Sequence, residues 1–199
     1  AHESMTSLAE KLSKARTKSY TPLARQITQL LKELGIPDAQ LNVTADEVPP
    51  GPTGKDRVEI FFSANKGIAP RNLAAVASGG EFSRLMFAVK YVMAEKTAMP
   101  TLVLDEIDTG VSGEVAIAVG KLMKDMAKRH QLITITHLPQ IAAKGDAHFF
   151  VFKERTASKT ITSVKALDKS ERVEEIAKMI GGAKPTTSAI ENARELIER

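Results

Sequence analysis

Apolar or small side chains recur every three to four residues through the first part of the chain, at Leu8, Leu12, Ala15, Ser19, Leu23, Ile27, Leu30 and Leu34. That spacing predicts helix with one apolar stripe over residues 4–34. Pro22 interrupts the pattern, which gives two helical pieces or a kinked one, ended by Gly35 and Pro37. Two readings stay open: an amphipathic helix packed on its own domain, or the last turns of an antiparallel coiled-coil arm entering a head. The period then changes to two. Leu41, Val43 and Ala45 alternate with polar residues, as do Val58, Ile60 and Phe62, so a β-hairpin is expected with Pro49 to Gly54 as its long loop.

Helical spacing returns at Phe82, Leu85, Met86, Val89, Val92 and Met93, within a helix over 78–96, and Pro100 marks the exit. Leu102 to Leu104 is a short apolar run of the kind a buried parallel strand shows. A helix over 114–129 and a second buried strand at Leu132 to Thr136 complete a βαβ unit. Both strands therefore end on one sheet edge, at Asp105-Glu106 and at His137. Phe149 to Lys153 and Thr160 to Val164 predict a second hairpin. Of two closing helices, one over about 171–180 stops at Gly181-Gly182, and the other opens with the capping pattern Ser188-x-x-Glu191.

With 199 residues, 43% of them hydrophobic, the chain can bury a real core, and one domain with an appendage is expected. No apolar run approaches the roughly 20 residues of a membrane span, and the first ten residues lack the order of a signal peptide. A soluble, cytoplasmic protein without membrane contact is expected. The absence of cysteine excludes disulfides and thiolate metal sites, and His2, His130, His137 and His148 show no ligand spacing, so no structural zinc is expected. A net charge of +4 permits contact with nucleic acid without requiring it.

Open α/β sheets bind ligands beyond the carboxyl ends of their strands, where this chain places two acids and a histidine. Asp105 can hold Mg²⁺, directly or through water, while Glu106 can polarise the water that attacks a γ-phosphate. Acids after a strand ordinarily start a loop, but His137 follows in the right order, where its imidazole can meet a phosphate oxygen or that water. The stretch Ser78-Gly79-Gly80-Glu81 opens a helix and fits a capping box. Two glycines in a first turn cost roughly 1 kcal/mol each if counted as interior positions. Bare backbone N–H groups at a positive helix end, with a serine hydroxyl beside them, compensate by suiting a polyphosphate. The loop that would wrap the phosphates, G-x-x-x-x-G-K-[ST], is absent from these residues. Gly54-Lys55 does not supply it, because Pro49 stands at the first glycine and Asp56 at the Ser/Thr.

Ala77 to Glu81 resembles the signature motif of ATP-binding-cassette ATPases, Thr101 to Glu106 their Walker B strand, Ile107 to Gly113 the following D-loop, and Thr136-His137 the switch histidine. Ala77 stands where transporter signatures commonly carry leucine. Within that superfamily, the wording of Asp105 to Gly113, Thr136 to Ala142 and Glu175 to Gly182 is similar to the RecN family of bacterial SMC-like ATPases of DNA double-strand-break repair. The resemblance implies an α/β fold, half of an ABC-type ATPase head: a parallel sheet core flanked by helices, with β-hairpins and an N-terminal coiled-coil-like helix. Residues 1–35 become the end of the arm and 36–199 the C-terminal half of the head. ATP and Mg²⁺ are the implied cofactors. The implied partners are an N-terminal half carrying Walker A, a second identical head, and DNA at the nucleoid.

In such ATPases two heads sandwich two ATP molecules. The resemblance then assigns Ser78, Gly79 and Gly80, with Glu81 of the same motif, to the ATP of the partner head, and Asp108 to coupling across the interface. Asp105, as metal ligand, and the catalytic Glu106 and His137 serve the ATP of their own head. The segment alone is expected to be inactive for want of Walker A. The competing readings are another SMC-type head, a transporter subunit, or a non-catalytic module docking on a partner head or on DNA. Lys121, Lys124 and Lys128, on one helix face, are the candidate phosphate contacts.

Overall fold

The structure, a computed structural model, describes residues 2–75, 79–97, 99–105, 107–155 and 159–198. The chain forms two compact units, 1–98 and 99–199.

In the first unit, helix α1 (His2–Glu33) is one continuous helix that contains Pro22, rather than two pieces. Its C-terminal half supplies the core: Ile27, Leu30, Leu31 and Leu34 are buried, together with Ile36 and Leu41 beyond the turn at Gly35, whose φ is 79°. Toward the N-terminus the apolar stripe is open, with Met5, Leu8 and Leu12 exposed. Strands β1 (Gln40–Gly51) and β2 (Gly54–Ser63) pair antiparallel from Gln40↔Ser63 to Gly51↔Gly54, and β3 (Arg71–Asn72) adds a short third strand. The long loop expected over 49–54 is instead strand closed by a tight turn. Pro49 and Pro50 are accommodated because the register shifts between Glu47 and Gly51, where the ladder asks for no N–H. The hairpin tip reaches α1: Arg16 pairs with Asp56 at 3.2 Å, and a side chain at Gly54 (φ 95°) would run into Leu12. Helix α2 (Gly80–Lys96) closes the unit by burying Leu85, Phe87, Ala88 and Val92.

In the second unit, β4 (Thr101–Leu104) and β5 (Gln131–Thr134) pair in parallel on either side of helix α3 (Gly113–Met126), as the βαβ pattern requires. The strands are not buried on both faces, however. Leu102 and Leu104 are covered, and the Thr134 hydroxyl reaches Met123 of α3 at 3.9 Å. On the opposite face Val103, Ile133 and Ile135 are 54%, 48% and 59% exposed. A short helix, α4 (Pro139–Ala142), precedes the antiparallel hairpin of β6 (Phe149–Arg155) and β7 (Thr160–Ala166). Helices α5 (Lys169–Gly181) and α6 (Thr187–Glu198) then pack through Ile176, Ala177, Ala189 and Ala193. Arg172 of α5 fixes the exit from α4 by donating to the Ala143 and Gly145 carbonyls at 2.7 and 2.6 Å. The cap of α6 is Thr186, whose hydroxyl accepts from the Ala189 N–H at 3.3 Å, and not the expected Ser188, which lies inside the helix. The complete capping box is at α5, between Asp168 and Glu171.

Candidate functional site

The second unit builds its polar cluster at the carboxyl ends of the parallel pair. Leu104 is paired with Thr134, and the Ile135 N–H donates to the Leu104 carbonyl at 3.0 Å, so the two chains leave the sheet side by side. Asp105 emerges from β4 exposed, with no hydrogen-bond or ion-pair partner among the described residues. The chain then turns back through residues 107–110, pinned by the buried side chains of Ile107 and Val111. This turn drives the carboxylate of Asp108 inward, leaving the residue 3% exposed.

Burial of a carboxylate requires donors, and the loop after β5 provides them. The Thr136 hydroxyl donates to Asp108 Oδ2 at 2.6 Å and the His137 N–H at 3.0 Å, and the His137 ring nitrogen Nδ1 lies 3.1 Å from the same oxygen. Thr136 in turn accepts the Leu138 N–H at 3.0 Å, so one hydroxyl links the start of α4 to the carboxylate. The ring contact is one of proximity; the hydrogen bonds to the carboxylate come from the Thr136 hydroxyl and the His137 backbone. The outer nitrogen Nε2 belongs to a side chain that is 72% exposed. Protonated, the ring offers an N–H there to a phosphate oxygen.

Asp108 is thus engaged inside its own unit as the anchor of the histidine loop. Sequence reasoning singled it out but missed this role; the signal available was an acid set in a tight turn between two residues that both become buried. Glu106 and Ser78 lie outside the described residues, as does Ala77. No group of three or more ligand-type side chains among the described residues forms a metal site on its own. Mg²⁺ asks less of a protein, because one or two carboxylates with substrate phosphates and water complete its shell. The unpartnered Asp105 fits that demand.

Gly79, Gly80 and Glu81 are in the first unit, at the start of α2. Gly79 occupies the cap position with φ 168° and ψ 175°, and the Ser78 of the expected capping box with Glu81 lies outside the described residues. Extended backbone of this kind suits any residue, and a Cβ on Gly79 would meet nothing within 4 Å. Among the described residues of the unit nothing demands glycine there, and bare backbone at that position admits the close approach of a ligand. Gly79→Ala is accordingly expected to leave the stability of this chain within about 0.5 kcal/mol of the wild type in chemical denaturation. In a complete head the same change should weaken ATP-driven pairing, read by sedimentation. Unchanged pairing would remove Gly79 from the site.

Two of the three candidate lysines, Lys121 and Lys124 on α3 and Lys128 just beyond its end, are engaged. Lys124 is paired with Asp146, and Lys128 with Asp125 at 2.8 Å.

No family model matches the chain. Among curated proteins it is similar to the DNA repair protein RecN of Haemophilus influenzae, 39% identical over 202 residues, which takes in 100% of this chain and 36% of that protein. The RecN proteins of Vibrio cholerae and Streptomyces coelicolor are 37% and 35% identical, over 98% and 96% of this chain and 36% of their own lengths. The chain therefore spans little more than a third of these relatives. Among solved structures, the Smc head domain with a coiled coil and joint from Pyrococcus yayanosii matches 80% of this chain, and 29% of that one, with a TM-score of 0.61 at 22% identity. A structure from work on ATP-driven dimerization and DNA-stimulated activation of SMC ATPases matches 84% of this chain and 97% of its own, with a TM-score of 0.54 at 17% identity. The fold is that of an SMC head segment, and the chain belongs to the RecN family.

Proposed function

We propose that the chain is the C-terminal part of an SMC-like ATPase head acting in DNA double-strand-break repair and recombination, at the nucleoid in the cytoplasm. The observation that carries this reading is the strand-end cluster, in which a free Asp105 and a tethered, exposed His137 leave one sheet edge together. Asp105 would hold Mg²⁺, which when bound supplies positive charge to the phosphates. Glu106 takes the proton of the attacking water. His137, held by Asp108, orients that water or contacts the γ-phosphate. Ser78, Gly79, Gly80 and Glu81 would present the start of α2 to the ATP of a second, identical head. Coupling between the two sites through Asp108 then runs by way of its hold on His137.

The open apolar face of Val103, Ile133 and Ile135 supports a missing complement. It suits the remaining half of the head, which would bring the Walker A loop that this chain lacks. The test is to mix the chain with a segment of the same protein carrying G-x-x-x-x-G-K-[ST]. Magnesium-dependent ATP hydrolysis is expected in the mixture and from neither part alone. Hydrolysis by this chain alone, abolished by Glu106→Gln, would overturn the proposal; so would an associated, folded pair that stays inactive even with DNA.

A further inference from the structure

From Lys11 to Lys32 the helix α1 contains Lys11, Lys14, Arg16, Lys18, Arg25 and Lys32 and no aspartate or glutamate. At about 100° per residue, Lys14, Lys18, Arg25 and Lys32 fall within roughly 40° of one another around the helix axis, with Lys11 at the margin. The four span about 27 Å along it at 1.5 Å per residue. All are exposed, and none of their side chains has a hydrogen-bond or ion-pair partner among the described residues. Arg16, on the other side of the helix, is the cation that pairs, with Asp56. Glu10 and Glu33 bound the stretch at its two ends.

Two further observations show that this stripe is open for a ligand. The apolar positions Leu12, Leu23 and Leu30 lie about 150° away, so a helix laid over the apolar stripe leaves the basic one uncovered. Beside the basic stripe runs a groove of about 370 Å³ between α1 and β1, lined by Tyr20, Thr21, Arg25, Thr28, Lys32 and Asn42 among others, with no carboxylate in its lining. The Tyr20 hydroxyl is buried there with no hydrogen-bond partner among the described residues. Unpaired cations, neutral polar groups and no acid form the chemistry of a phosphodiester track.

We propose that the basic face of α1 is a contact surface for the backbone of duplex DNA. This rests on the head reading above, and assigns its DNA contact to α1 in place of Lys121, Lys124 and Lys128. Along the helix the row runs for about 27 Å, the length of about eight base pairs of duplex at 3.4 Å each. Single strands are ordinarily gripped by exposed aromatic platforms, and the stripe carries none. With phosphates as the only partners, binding is independent of sequence and strongly dependent on salt.

The experiment is fluorescence anisotropy of a labelled duplex of mixed sequence with the 199-residue chain across a salt series. One comparison carries Lys14→Gln, Lys18→Gln, Arg25→Gln and Lys32→Gln together; glutamine keeps helix propensity, and circular dichroism verifies the fold. The salt slope should fall by roughly 3 to 4 in this variant, and low-salt affinity by more than tenfold. A variant with Lys121→Gln, Lys124→Gln and Lys128→Gln should bind like the wild type, and a single strand of equal length should compete more weakly than duplex. The proposal is overturned if the wild type does not bind at low salt, if the α1 variant binds unchanged, if the α3 variant accounts for the loss, or if single strands compete equally. Intact ATP hydrolysis by the reconstituted head in any of those cases would leave the head reading standing and remove only this surface.

Discussion

Asp108→Ala is expected to lower the stability of the 99–199 unit by about 1–3 kcal/mol, because it takes the acceptor from two part-buried donors at once. The Thr136 hydroxyl and the His137 N–H both end on Asp108 Oδ2, at 2.6 and 3.0 Å, and the carboxylate is enclosed. A fully buried unsatisfied group costs about 1–3 kcal/mol, and the partial access of water to these two donors lowers that figure. Asp108→Asn keeps an accepting oxygen and should cost about 1 kcal/mol or less. Urea denaturation followed by circular dichroism measures both. The nitrogen-15 spectrum of His137 separates packing from positioning. The ring signals of the wild type, set by the carboxylate 3.1 Å from Nδ1, should move in Asp108→Ala. An alanine variant within about 0.5 kcal/mol of the wild type, with an unchanged imidazole spectrum, would mean that Asp108 does not hold the loop.

The second large effect concerns turnover. In a head reconstituted with its Walker A half, Glu106→Gln is expected to lower kcat by about 10²–10⁴-fold, the usual contribution of a positioned base. ATP binding and head pairing should survive, because glutamine keeps the shape and loses only the proton acceptor. Asp105→Asn should act differently, raising the Mg²⁺ concentration needed for half-maximal rate, since it weakens the carboxylate free to meet the metal. Steady-state rates across a magnesium series distinguish the two. Equal loss from both substitutions, restored by excess magnesium, would assign Glu106 to metal binding instead.

Where a residue's fate depends on its near neighbours along the chain, the sequence revealed it. The spacing over 78–96 and 114–129 found α2 and α3 to within a few residues, and the order of strand, helix and strand gave the parallel pairing of β4 with β5. Misreadings arose where local signals had two outcomes. Pro49 and Pro50 look like loop, yet a register shift lets the strand pass through them. Ser188-x-x-Glu191 has the capping spelling, but the chain enters α6 early enough for Thr186 to take the cap. The helix α4 is a single turn, too short for periodicity, and Pro139 at its start was the only sign of it. Two features of the site were beyond any local pattern. The anchoring of His137 joins residues 29 apart in sequence, and the exposure of Val103 and Ile133 depends on which face of the sheet α3 covers.

The passage of α1 through Pro22 has a mechanical side. Proline gives no N–H to the Lys18 carbonyl, so the helix has a soft joint at that turn. Below the joint Ile27, Leu30, Leu31 and Leu34 clamp the helix into the first unit, and above it the hairpin tip grips the other side through Asp56 on Arg16 and Gly54 against Leu12. The hairpin is therefore a strut set across a hinge. A load carried down the helix is expected to bend it first at Pro22, against the stiffness of β1 and β2.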